Sequence, residues 1–156
     1  MKEIAGVPII ENFDVKPYDW EGVFSAVGKI IKNAQEFELE YKNCLKKYDV
    51  QLNKKESDSL FECNKKMFKN KHVTVEERNV LARIAFERNR INHSFFIDLM
   101  EKCHTEQDWL KINEHLNGVM AIIFEGRDIV ENLKNKDKPY FSPIRTIFDG
   151  IFNKRK

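Results

Sequence analysis

Residues 20–48 read WEGVFSAVGKIIKNAQEFELEYKNCLKKY, and the spacing of the apolar side chains in this stretch decides the fold. Val23, Phe24, Val27, Ile30, Ile31, Ala34, Phe37, Tyr41, Cys44, Leu45 and Tyr48 recur at steps of three and four. That period gathers them on one face of an α-helix. Lys29, Lys32, Glu36, Glu40 and Lys47 fall between them and are candidates for the opposite face. Asp19 stands just ahead, where a short carboxylate can accept hydrogen bonds from the first unpaired amides of a helix. A first helix of several turns is predicted after Asp19, ending near Tyr48.

The same pattern continues outward from this segment. Residues 51–58 are charged and loop-like, and Ser57 is placed to cap a shorter second helix carrying Leu60, Phe61, Met67 and Phe68. Thr74-Val75-Glu76-Glu77 has the form of a capping box, in which hydroxyl and carboxylate satisfy each other's orphan amides. A third helix follows through Val80, Leu81, Ile84 and Ala85, and apolar spacing resumes at Phe95, Phe96, Leu99 and Met100. Thr105 caps a fourth segment, about 106–133, whose middle (119–124) is apolar nearly all round and so is expected to be buried on two sides. After a polar break at 134–138 and Pro143, a short helical tail over 143–152 is expected to dock by Ile147, Phe148, Ile151 and Phe152.

With six glycines, four prolines and little two-residue alternation, a sheet protein is excluded. The predicted class is all-α, an antiparallel four- to five-helix bundle in one domain over 1–156 with its core at about 20–133. Twenty-seven basic against 25 acidic residues leave a net charge of +2, too little for a broad duplex-DNA face. No apolar run approaches the ~20 residues of a membrane span, and Glu3, Pro8 and Glu11 spoil residues 1–10 as a signal peptide. Cys44, Cys63 and Cys103 are far apart, odd in number and without zinc spacing, so they read as reduced, mostly buried thiols of a cytoplasmic protein. No metal and no cofactor is expected.

One constellation carries chemistry: Arg88-Asn89-Arg90-Ile91-Asn92-His93. Arginine's planar fork fits phosphate oxygens and stays charged, while histidine moves protons near neutral pH. RNA brings its own nucleophile, the 2′-hydroxyl, so a phosphate holder and a proton shuttle suffice for cleavage. On a straight helix Arg88 and His93 stand about 140° apart with a rise of roughly 7.5 Å. They can act together only if the helix breaks between them or a second chain supplies one of them. As residues alone, the cluster is open to two readings, a site or a structural polar group.

The hexapeptide resembles the signature of the HEPN superfamily: Arg, a polar residue, three variable positions, then His. Ala82-Arg83-Ile84-Ala85-Phe86 before it and Ser94-Phe95-Phe96 after it are similar in character to the family's flanks. The resemblance implies a helical bundle and a metal-independent endoribonuclease of toxin–antitoxin, abortive-infection or other anti-phage systems. It implies a homodimer with two motifs facing one cleft, an RNA substrate and a possible antitoxin protein as partner. His93 would be the general acid/base, Arg88 the phosphate and transition-state binder, and Asn89 the polar residue shaping the site. A family branch regulated by a nucleotidyltransferase carries a modified tyrosine two residues after the histidine. Here that position is Phe95, with no hydroxyl. Silent members bind nucleotides or proteins, so a non-catalytic binding module is the alternative.

Other stretches carry less. The basic run Lys65-Lys66-Met67-Phe68-Lys69-Asn70-Lys71-His72 reads as a solvated helix end or as an RNA track with Phe68 for stacking. The terminal Asn153-Lys154-Arg155-Lys156 has the same two readings. His104 and His115 share a face only if the helix is continuous, and Thr105 starts a new one between them. No phosphate loop or Ser-His-Asp spacing occurs, which leaves kinase, ATPase and hydrolase classes without support.

Overall fold

Among the described residues five helices form from the amphipathic segments: α1 (Trp20–Lys47), α2 (Leu60–Lys69), α3 (Val75–His93), α4 (Phe95–Lys102) and α5 (Glu106–Asn135). The structure is a computed structural model and describes residues 12–53 and 59–136. No strand occurs among the described residues, and the all-α bundle expected from the sequence is the architecture found. The expected tail at 143–152, with Ile147, Phe148, Ile151 and Phe152, lies outside the described residues, as does the N-terminal stretch 1–10.

The helix starts follow the capping chemistry. Asp19 accepts from the Gly22 amide at 2.9 Å. Full capping boxes form at Thr74/Glu77 and Thr105/Asp108. The second helix is capped by Ser59, whose hydroxyl accepts from Glu62 N; the expected cap, Ser57, lies outside the described residues. The ends of α1 and α2 lack glycine, yet both close by the paired bonds that accompany a left-handed residue. Asp49 (φ 52°) and Lys71 (φ 59°) take that conformation. The amides of Val50 and His72 reach back to the carbonyls of Leu45 and Met67.

Three long rods make the core. Arg127 of α5 reaches Asn33 and Glu36 of α1, and the Tyr48 hydroxyl donates to Leu133 O at 2.6 Å. Rising numbers therefore pair with rising numbers, and α1 and α5 run parallel. Between them in the chain, α3 runs the other way: Glu38 meets Arg88, whereas Phe24 packs on Phe96 just beyond the end of α3. Successive long helices thus alternate in direction. The centre of α5 is covered by both neighbours, which buries Val119, Met120 and Ile123 as its apolar belt predicts. Phe37, Tyr41, Ile84, Trp109, Leu116 and Leu133 are fully buried with them, each aliphatic or aromatic side chain contributing about 1.5–3 kcal/mol.

An extended segment before α1 lies along α5. Phe13 and Val15 present their backbone amides and carbonyls to Asn117 and Asn113, one helical turn apart, so two side-chain amides replace a neighbouring strand. No helix among the described residues is long and apolar enough to cross a membrane.

Candidate functional site

The hexapeptide forms the last turns of α3, and the helix is uninterrupted from Arg88 to His93. The break comes one residue later. Ser94 N donates to Arg90 O at 2.9 Å, and the chain restarts as α4 at Phe95. It does not reorient Arg88 relative to His93, because both lie before it.

Helical phase then sorts the side chains. Arg88 turns toward α1, where its Nη2 lies 3.1 Å from Glu38 Oε2 and its Nη1 donates to Asn89 Oδ1 at 3.1 Å. Glu38 is largely buried and also accepts from Lys42 Nζ at 2.6 Å. Asn92 joins Arg88 around a cavity of about 30 Å³ against Ile30, Ile31 and Gln35, room for about one water. Arg90 turns the opposite way, with its Nε 3.7 Å from Asp98 of α4. His93 faces away from the bundle. It is exposed and makes no hydrogen bond or ion pair among the described residues. Its face also holds Phe86, 58% exposed, and Val75, 53% exposed, about two and five turns earlier. Of the expected trio, then, Arg88 and Asn89 are joined and His93 stands apart.

A second polar group went unnoticed in the sequence. Glu87 is buried on the core face of α3 between Ile84 and Ile91, and its Oε2 lies 3.3 Å from His115 Nε2 of α5. Neither atom has a hydrogen bond of good geometry. Burial pulls the His115 pKa below the ordinary imidazole value; Glu87 opposes this, while Arg90 and Arg83 add to it. The clue was available, since Glu87 follows Ile84 by three and precedes Ile91 by four, inside the apolar stripe. Glu38 had no comparable signal, because its partner is 50 positions away.

The remaining candidates are engaged in the fold. In the basic run, Lys65 pairs with Glu62, the face of Phe68 is covered by the Arg78 guanidinium at 4.5 Å, and His72 packs on Tyr48. His72 is also pulled below the usual imidazole range by burial and by Lys136. Residues 153–156 lie outside the described residues. Thr105 does begin a new helix between His104 and His115. Among the described residues no three His, Cys, Asp or Glu side chains gather as a metal site. Burial raises the pKa of all three cysteines, which keeps them as thiols. Phe95, at the position of the family's modified tyrosine, is buried and stacks on His115.

Comparison of the chain with protein-family models, with curated proteins and with solved structures gives no match.

Proposed function

We propose that this protein is a metal-independent endoribonuclease of HEPN type, acting in the cytoplasm as a homodimer in a toxin–antitoxin or anti-phage system. The observation that carries the reading is the state of His93. His93 is exposed, makes no side-chain hydrogen bond or ion pair among the described residues, and lies one turn along α3 from Asn89, which is itself held by Arg88. Such a side chain is available for proton transfer.

One chain leaves the site incomplete. Arg88 and His93 point about 140° apart on an unbroken helix, so a second copy must bring another motif to the same cleft. Because Arg88 and His93 emerge on different faces of α3, that contact has to wrap around the C-terminal end of the helix and not lie along the His93 face alone. In the assembled cleft, one His93 takes the proton from the 2′-hydroxyl as its oxygen bonds to phosphorus. Arg88 holds the charge that develops on the phosphoryl oxygens. The bond from phosphorus to the 5′-oxygen breaks, that oxygen takes its proton from the second copy's His93 acting as the acid, and the product end is a 2′,3′-cyclic phosphate. Asn89 keeps the guanidinium aligned through its 3.1 Å bond.

RNA incubated with the protein in excess chelator tests this, beside His93→Ala and Arg88→Ala variants whose melting curves match the parent. Cleavage by the parent alone, leaving cyclic phosphate ends, is expected. No cleavage of any RNA by the parent, or full cleavage by both variants, refutes it. A non-catalytic bundle is favoured by one observation, the Arg88–Glu38 pair, which gives Arg88 a structural task within a single chain.

A further inference from the structure

A cleft of about 250 Å³ opens between α4 and the first turns of α5, on the side of α3 away from Arg88. Its walls are apolar. Phe95 and Leu99 come from α4 and Ile112 from α5, and the Phe95 ring lies nearly parallel to the His115 imidazole, 16° and 6.3 Å apart. Three cations stand at its edge: Arg90, Lys102 and Lys111.

Two carboxylates share that edge, and both are already committed. Asp98 lies 3.7 Å from Arg90. Asp108 accepts from the amides of His104 and Thr105 and from the Thr105 hydroxyl, bonds that hold its pKa below the usual carboxylate range. Lys102 and Lys111 make no ion pair or hydrogen bond among the described residues. Lys111 acts on Asp108 through its charge alone, so Lys102 and Lys111 both keep their hydrogen-bond donors free beside an apolar, ring-lined cleft. Such convergence of a few polar groups on an apolar pocket is how small-molecule sites are built. The volume sits under the ~300–1,000 Å³ of drug-sized pockets, so one ring system with one charged group is the fitting size.

We infer that this cleft binds a small planar aromatic anion, an aryl carboxylate or aryl phosphate. Its ring lies on the wall formed by Phe95, Leu99 and His115, and its charge meets Lys102 and Lys111. Arg90 belongs to both this cleft and the hexapeptide. An anion at the mouth competes with Asp98 for its guanidinium, so the occupied cleft changes the electrostatics two residues from Arg88. The inference does not depend on ribonuclease activity.

Binding is measured by NMR on the full chain with phenyl phosphate, inorganic phosphate and benzyl alcohol as probes. Phenyl phosphate is expected to bind at least tenfold more tightly than either of the others, with the largest methyl shifts at Leu99 and Ile112. Lys102→Ala with Lys111→Ala, both surface changes, is expected to weaken phenyl phosphate at least tenfold and leave benzyl alcohol unchanged. Competition by uridine monophosphate against benzoate then assigns the source, a nucleotide or a free aryl carboxylate. Equal binding of phenyl phosphate and inorganic phosphate overturns the proposal, as does unchanged affinity in the double lysine variant.

Discussion

Replacing Glu87 by leucine is expected to stabilise the fold, and replacing His115 by leucine to destabilise it. Glu87 is 6% exposed, and its Oε2 faces His115 Nε2 at 3.3 Å without a well-formed hydrogen bond. Burial disfavours the charged imidazole, so the contact is a buried carboxylate facing a poorly aligned ring nitrogen that does not recover its desolvation. Replacing such buried pairs by well-packed apolar groups is often neutral or favourable by ~1–4 kcal/mol. Glu87→Leu keeps about the same volume between Ile84 and Ile91, so a gain of about 1–2 kcal/mol is expected. His115→Leu leaves the carboxylate enclosed with nothing polar before it. Breaking one side of such a pair costs roughly 3–5 kcal/mol. The partial exposure of His115, 28% of its side chain, puts the expected loss near the lower end.

Urea unfolding of the parent, both single variants and the double variant gives the coupling directly. The double variant should return to within about 1 kcal/mol of the parent, because two apolar side chains then face each other. The pH dependence follows from the direction of the His115 shift. Burial lowers its folded pKa below the unfolded value of ~6.5, so on acidification the unfolded chain takes the proton first. His115 therefore withdraws stability as pH falls from the unfolded pKa toward the folded one, and has no such effect above. Glu87→Leu removes the one cause that raises the pKa, so this acid loss should steepen; in His115→Leu it should vanish. A Glu87→Leu variant less stable than the parent by more than ~1 kcal/mol, or a neutral His115→Leu, would refute the reasoning.

Three further outcomes are expected. Thr74→Ala removes one half of the capping box, whose bonds measure 3.1 and 2.9 Å, and should cost about 1 kcal/mol in urea unfolding. Gly126→Ala places a Cβ in collision with Ile84 Cδ1 and 3.0 Å from Phe37 Cε2 where α1, α3 and α5 meet. Overpacking of ~1–3 kcal/mol should outweigh the ~1 kcal/mol gain in helix propensity, so a lower melting temperature is the checkable result. Glu38→Gln removes the carboxylate beside Arg88 and should raise affinity for single-stranded RNA several-fold, with a steeper salt dependence in a binding titration.

How far the sequence could be read depended on what each residue's signal encodes. The helical segments were legible because one amphipathic period runs through 20–48 and again through 106–133. The caps at Asp19, Thr74 and Thr105 were legible because capping is local chemistry. Ser57 and Ser59 were harder to separate, being identical residues two positions apart ahead of the same apolar run. The break at Ser94 was hidden for a different reason. Ile91, Phe95 and Leu99 continue the buried stripe at steps of four across it, so the apolar pattern reads as one helix. The ends of α1 and α2 also lacked the usual glycine, since Asp49 and Lys71 take the left-handed turn. At the site, the residues were legible and their partners were not. Glu38 meets Arg88 through the packing of α1 on α3, a long-range contact that no local spacing records.

That contact bears on how the hexapeptide is used. An arginine neutralised within its own chain looks withdrawn from phosphate binding, yet the exchange it must make is mild. Glu38 keeps Lys42 at 2.6 Å when Arg88 leaves, so no buried carboxylate is orphaned, and the guanidinium trades one anion for another. The bond from Arg88 Nη1 to Asn89 Oδ1 can persist through that exchange and keeps part of the guanidinium's orientation. His93 has no comparable partner among the described residues; it is exposed at the end of α3. The two halves of the motif thus differ in kind, Arg88 held by partners within its own chain and His93 exposed without one. In the homodimer proposed above, the monomer is the inactive form. Dilution to below the dimer dissociation constant should therefore abolish catalysis while leaving the Arg88 environment unchanged.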